Sequence, residues 1–164
     1  MMNFLIQPIN QNDWQDISKI YKEGIQTGIA TFETEIPTWK QWDQNHLSFC
    51  RFKAIRNEQI LGWIALSPKS KRAVYEGVAE ISVYVASKAQ KQGVGRSLLN
   101  HLITASESHG IWSLQASIFP ENKASQHLHA SVGFRVIGIR EKIAKYQGCW
   151  KDNILMERRS SKIQ

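Results

Sequence analysis

The run AEISVYVASKAQKQGVGRSLLNHLI, Ala79 to Ile103, constrains the fold more than any other part of the chain. Glu80 to Val85 is rich in β-branched and aromatic residues and reads as a strand. Val94, Leu98, Leu99, Leu102 and Ile103 recur at helical spacing, so Gly93 to His109 reads as an amphipathic helix stopped by Gly110. A short basic turn joins the two and carries Gly93 and Gly95 where the helix begins. Helix starts present free backbone N–H groups and a partial positive charge, so they hold phosphate. Glycine lets the backbone come close to a ligand, and Lys88, Lys91 and Arg96 add charge around the turn. The same residues also suit a plain helix start with solvated lysines. No Lys-Ser or Lys-Thr pair follows, so the nucleoside-triphosphate loop is absent. The dinucleotide pattern fails because Leu98 stands at its third glycine position.

Elements of both kinds surround this junction. FLIQPI reads as a first strand, and Asp13 is placed to cap a helix carrying Trp14, Ile17, Ile20, Tyr21 and Ile25. GIATFETEIP is a loop, and a second helix is predicted from about Thr38 to Leu47. FKAIRNEQILGWIAL reads as a hairpin turning at Asn57 and Glu58. WSLQASIF is a strand broken by Pro120, and Asn122 is placed to cap a helix to about Val132, ended by Gly133. FRVIGIRE and DNILMERR are the last strands, joined by a loop KYQGCWK. The order β-α-α-β-β-β-α-β-α-β-β implies an α/β sheet with helices on both faces.

Residues 1–164 carry no linker, repeat or low-complexity tract and read as a single domain. No apolar run approaches the roughly 20 residues of a membrane helix, and no secretion signal opens the chain. Cys50 and Cys149 make neither a disulfide framework nor a zinc pattern. These features point to a cytoplasmic protein without metal. The net charge of +7 suits nucleic acid or an anionic cofactor, but the basic residues are scattered and form no nucleic-acid motif.

A family resemblance rests on particular residues. Gln90-Lys91-Gln92-Gly93-Val94-Gly95 is similar to the Gln/Arg-x-x-Gly-x-Gly/Ala signature of the GCN5-related N-acetyltransferases (GNAT). NKASQHLHASVGF resembles a second motif of that family. GIATFE, VAEISVYV, IFPEN, LHASVGF and GCWKD resemble the phosphinothricin and methionine-sulfoximine acetyltransferase branch, over roughly Ile6 to Arg159. The resemblance implies a mixed, mainly antiparallel sheet with a splayed cofactor-binding strand. It implies transfer of acetyl from acetyl-CoA to the α-amino group of a small amino acid or analogue.

Roles follow residue by residue from the same resemblance. Gln90, Lys91, Gln92, Gly93, Val94, Gly95 and Arg96 would cradle the pyrophosphate of coenzyme A. Val83, Tyr84 and Val85 would meet pantetheine and thioester, with the Val85 N–H as donor to the carbonyl oxygen. Asn122 and Ser125 would contact pantetheine, although Asn122 is also an ordinary helix cap. His129, on the same helix face by spacing, would protonate the leaving thiolate. Glu80 would take the ammonium proton of the acceptor, through water. Phe32 and Glu33 would close over the amine, Arg72 would pair with an α-carboxylate, and Tyr75, Glu76 and Gly77 would form the opposite wall. Relatives often carry arginine near Tyr75 to Gly77, where this chain has Glu76. Trp150 and Asp152 would order the last hairpin, at the interface of a homodimer. Direct attack in a ternary complex is expected, since neither cysteine has a recognisable base in a motif. Protein N-termini or polyamines remain alternative acceptors, and a non-catalytic CoA- or RNA-binding module remains an alternative use of the scaffold.

Overall fold

The computed structural model describes residues 3–164. The elements follow in the expected order: β1 (Leu5–Pro8), α1 (Trp14–Gln26), α2 (Trp39–Asn45), β2 (Phe52–Arg56), β3 (Gln59–Pro68), β4 (Val78–Val85), α3 (Val94–Ser108), β5 (Ser113–Ile118), α4 (Lys123–Ala130), β6 (Arg135–Tyr146) and β7 (Cys149–Arg159). The strands form one seven-stranded sheet in the order β1-β2-β3-β4-β5-β7-β6. Only β4 and β5 run parallel; every other neighbouring pair is antiparallel.

Local chemistry explains most boundaries and corrects several expected ones. Asn57 and Glu58 both have positive φ, 47° and 63°. That backbone matches the twist of a tight hairpin between β2 and β3. Asn10, not Asp13, supplies the cap before α1: its side chain accepts from Asn12 N and closes a capping box with Asp13 around a short 3-10 turn. The other Asp13 oxygen is taken by Lys53, 2.5 Å away. Helix α2 stops at Asn45, because the His46 ring turns back, stacks on Trp42 and brings Nδ1 2.7 Å from the Trp42 carbonyl. The expected KYQGCWK loop is the end of a long hairpin: Lys145 and Tyr146 belong to β6, Cys149 to Lys151 to β7, and the turn is Gln147 and Gly148. Asp152 Oδ1 accepts the N–H of Lys142 (2.7 Å) where the β6 register shifts, so it orders this hairpin.

The helices cover opposite faces. Gly24 of α1 lies so close to Tyr84 that an added Cβ would sit 2.6 Å from the ring. Gly95 of α3 lies instead against Val85 and Leu128. Tyr84 and Val85 are consecutive in β4, so their side chains leave opposite faces of the sheet. Ile17, Ile20 and Tyr21 of α1 are buried on the first face, and Leu98, Leu99 and Leu102 of α3 on the second. Each such side chain contributes about 1.5–3 kcal/mol on burial.

One feature of the sheet positions the site. The β4–β5 ladder holds only Val78↔Ser113, Ala79↔Leu114 and Glu80↔Gln115. Beyond it β4 stays paired with β3 as far as Val85, and β5 stays paired with β7 as far as Ile118. The two strands therefore splay into a V that opens immediately after Glu80.

Candidate active site

A groove of about 440 Å³ lies at the start of α3. Gln90, Lys91, Gly93, Val94, Gly95 and Arg96 line one side, and Val83, Val85, Asn122, Ser125 and Leu128 the other. Gly93 is the N-cap of α3 with φ +81°, a left-handed backbone that disfavours any other residue. It offers no side-chain cap, so the first N–H groups of the helix are not occupied by their own N-cap residue. Cationic Lys91 and Arg96 beside bare helix N–H groups form a set that fits a diphosphate. Gln92 lines no part of this groove: it donates to the Lys88 carbonyl (2.8 Å) and accepts from Arg56 (3.2 Å).

Beyond the groove, a chamber of about 460 Å³ fills the splay between β4 and β5. It shares Ala30, Val83 and Ser125 with the groove. Glu80, Ser82, Phe32 and Glu33 line it together with Ser125 and His129. Glu80, Ser82 and Tyr84 share one face of β4, the face covered by α1, whereas His129 comes from α4, whose Leu128 sits by Val85 on the other. The V is what lets a strand-borne carboxylate and a helix-borne imidazole reach one cavity. Tyr84 turns toward α1, with its ring 4.8 Å from Tyr21 and from Trp63, and burial raises its phenol pKa. Its side chain thus faces the chamber, not the groove.

Glu80 is half-buried and ion-paired with Lys69 at 2.9 Å. His129 is buried. Its Nδ1 lies 2.8 Å from the Ser125 carbonyl and 3.3 Å from the Ser125 hydroxyl. The ring meets Phe134 edge-on at 5.1 Å, and Nε2 has no hydrogen-bond partner among the described residues. Burial pulls the His129 pKa below the ordinary value, partly opposed by the Ser125 carbonyl. The imidazole is therefore neutral near pH 7, and the carbonyl fixes its proton on Nδ1. Asn122 does cap α4, accepting from Ser125 N at 3.1 Å, and it also donates to the Ile29 carbonyl in the loop before Phe32.

The expected wall residues lie elsewhere. Arg72, Tyr75 and Glu76 are exposed on the connection before β4, and none lines the groove or the chamber. Arg72 instead stacks its guanidinium 5.7 Å from the Tyr75 ring. Gly77 is buried under Trp112 and its carbonyl receives the N–H groups of Trp112 and Ser113. The chamber contains residues that sequence reasoning passed over: Lys69, Ser117, Arg140 and Asn153. A third cavity, about 640 Å³, shares Thr31, Glu33, Ser67, Ser82 and Tyr84 with the chamber and extends to Trp42 and His46.

Neither thiol reaches the chamber. Cys149 is exposed near the hairpin tip, and Cys50 is buried with its pKa pushed up to about 11. Cys50 has a histidine beside it from a distant part of the chain, with His109 Nδ1 3.9 Å from its sulfur. That nitrogen is 2.9 Å from the Ala105 carbonyl, so it carries hydrogen and is no base for the thiol. Among the described residues, no helix is long and apolar enough to cross a membrane.

A family model described as an acetyltransferase (GNAT) domain matches residues 6–155. A phosphinothricin N-acetyltransferase from Alcaligenes faecalis is 32% identical, with 93% of this chain and 81% of that one covered. The crystal structure of a ribosomal-protein-alanine N-acetyltransferase from Brucella melitensis superposes with a TM-score of 0.87 at 28% identity, covering 95% of this chain and 99% of the other. A phosphinothricin acetyltransferase from Sinorhizobium meliloti in complex with AcCoA shares the fold, with a TM-score of 0.86 at 23% identity, covering 96% and 89%.

Proposed function

Given that this chain belongs to the GNAT acetyltransferases, we propose that it transfers acetyl from acetyl-CoA to the α-amino group of a small amino acid or analogue of the phosphinothricin or methionine-sulfoximine type. The observation that carries this reading is that groove and chamber are neighbours with Ala30, Val83 and Ser125 as shared walls. A groove that fits a diphosphate adjoins a cavity lined by two carboxylates, Glu33 and Glu80, and one neutral imidazole, and acyl transfer to an ammonium needs a base and a proton relay of these kinds.

Acetyl-CoA supplies an acetyl group activated as a thioester. Lys91, Arg96 and the first N–H groups of α3 hold the diphosphate. Asn122, Ser125 and the exposed edge of β4 guide the pantetheine arm toward the V, and the Val85 N–H polarises the carbonyl. Glu80 receives a proton from the acceptor ammonium, through water, and so yields the neutral amine that attacks. His129 presents a lone pair at Nε2 in its resting tautomer, so it acts as a relay. It first takes a proton from the reacting amine and then returns it to the departing sulfur. Attack is direct, because both thiols lie outside the chamber. The protein works in the cytoplasm as a homodimer.

A second reading is favoured by the likeness to the Brucella enzyme: the acceptor is the N-terminal amine of a protein. A thiol-release screen separates the two. Methionine sulfone, methionine sulfoximine and phosphinothricin should release CoA rapidly, while alanine-starting peptides and polyamines should not. Turnover confined to peptides would replace the first reading by the second.

A further inference from the structure

The chamber contains two cationic residues, Lys69 and Arg140. Lys69 is already committed to Glu80 at 2.9 Å. The Arg140 guanidinium is held by neutral partners: Nε donates to Asn153 Oδ1 at 2.8 Å and Nη2 donates to Ser117 Oγ at 2.8 Å. Arg140 and Asn153 sit opposite each other on β6 and β7, and Ser117 lies on β5, so three neighbouring strands orient one planar group. Asn153 is itself 4% exposed, which fixes the guanidinium more firmly than a solvated partner would. A half-buried guanidinium with N–H groups left over and no carboxylate among these partners favours an anion as its further ligand.

We infer that Arg140 receives the α-carboxylate of the acceptor and selects amino acids over simple amines. The inference rests on the amino-acid reading above. It completes the charge match of the chamber: a zwitterion offers an ammonium and a carboxylate, and the chamber offers Glu33 and Glu80 to the first and, with Lys69 paired to Glu80, Arg140 to the second. Arg72, which sequence reasoning assigned to this task, lies outside the cavity. Ser117 and Asn153 are positioning residues, since they act through the guanidinium.

The test compares methionine sulfone with its carboxamide, which keeps the amine and side chain but lacks the negative charge. Wild type should prefer the acid. Arg140→Gln should lower kcat/KM for the acid by roughly 10- to 100-fold, mainly through KM, because a hydrogen bond to a charged group is lost. The same variant should cost the carboxamide much less, because only a neutral hydrogen bond is lost there, and should leave the acetyl-CoA KM unchanged. Arg140→Lys keeps the charge but not the fork, and should recover part of the loss. Melting temperatures of both variants check that the β6–β7 hairpin is intact, and Arg140→Lys carries the test if Arg140→Gln does not fold. Wild type that uses acid and carboxamide equally, or variants that lose both equally, would overturn the role of Arg140 and leave the amino-acid reading standing. Wild type that acetylates neither, while using peptides, would overturn the amino-acid reading and this inference with it.

Discussion

The Nδ1 of His129 lies 2.8 Å from the carbonyl oxygen of Ser125, one helical turn earlier. A carbonyl only accepts, so the bond holds hydrogen on Nδ1 and leaves Nε2 as a bare lone pair. A resting donor to the leaving sulfur would need the opposite tautomer or a charged ring, and burial disfavours the charged ring. The consequence is kinetic. His129→Gln should lower kcat by about 100- to 10,000-fold, with little change in acetyl-CoA affinity by calorimetry. In wild type the acid limb of the kcat profile should begin below the ordinary histidine range, because the required neutral form persists to lower pH. That limb should be missing from the variant.

The same shift has a stability side. His129 and His46 both have folded pKa values below the unfolded one, through burial in each case. The unfolded chain then binds more protons between those values, so stability rises with pH there. Their stabilising contribution is full above about pH 6.5, the unfolded value, and is lost as pH falls toward the lowered folded values. Urea titrations between neutral pH and mild acid should show this loss, and it should be smaller in His129→Gln. An equal pH dependence in both proteins would remove His129 from the account.

At the turn, Gly93 and Gly95 should fail differently. Gly93 needs its left-handed φ of +81°, so Gly93→Ala should cost about 1–2 kcal/mol of stability. Gly95 has an ordinary helical place, but an added Cβ would sit 3.0 Å from Leu128 Cδ2. Leu128 lines the groove, so Gly95→Val should push it into the space for the cofactor. The expected result is an acetyl-CoA KM raised at least about 10-fold, the effect of roughly 1.4 kcal/mol of lost binding. Chemical denaturation and steady-state kinetics separate the two outcomes.

Much of this architecture was legible because it is local. The α3 stripe, the Asn122 cap and the Asn57–Glu58 turn depend on residues within a few positions of one another. What stayed hidden depends on strands distant in sequence. Tyr84 was expected among the cofactor contacts with Val83 and Val85, but alternation sends its ring to the α1 face, where Gly24 leaves room for it. Arg72 and Arg140 look alike as sequence; only the pairing of β5, β6 and β7 brings Arg140 to Ser117 and Asn153. No signal in the chain marks either residue, since Arg140 is followed by Glu141 and Lys142 and Asn153 is preceded by Lys151 and Asp152, so each reads as one more polar residue of a charged stretch. The Asp13 cap failed for a related reason, since Lys53, forty positions away, takes one of its oxygens.

The exposed edge of the sheet predicts assembly. β6 ends the strand order, and Val136, Ile137, Ile139 and Ile143 on it are exposed, as is Trp150 on β7. Such an edge is a site for pairing. Ile139 is 61% exposed, so Ile139→Asp should change monomer stability by no more than about 0.5 kcal/mol. Light scattering should find wild type at twice the chain mass and the variant at the single mass. A monomeric wild type at micromolar concentration rules the dimer out.

An ion pair stands at the opening of the V. Glu80 ends the β4–β5 ladder, and its carboxylate lies 2.9 Å from the Lys69 ammonium. Both side chains are about one-third exposed, so the pair contributes little to stability, on the order of 0–1 kcal/mol. Its value lies in orientation: Lys69 holds the carboxylate toward a chamber that also contains His129. If Glu80 is the proton acceptor, Glu80→Gln should lower kcat by about 100-fold or more near pH 7. It should recover part of that loss as pH rises toward the pKa of the acceptor amine, where the neutral amine needs no base. Lys69→Met tests the orientation separately. It should cost less than Glu80→Gln, and its loss should not recover with pH, because the base is still present but misdirected. A Glu80→Gln profile parallel to wild type at every pH would leave the carboxylate no role in proton transfer. The rate would then rest on positioning, with solvent carrying the proton.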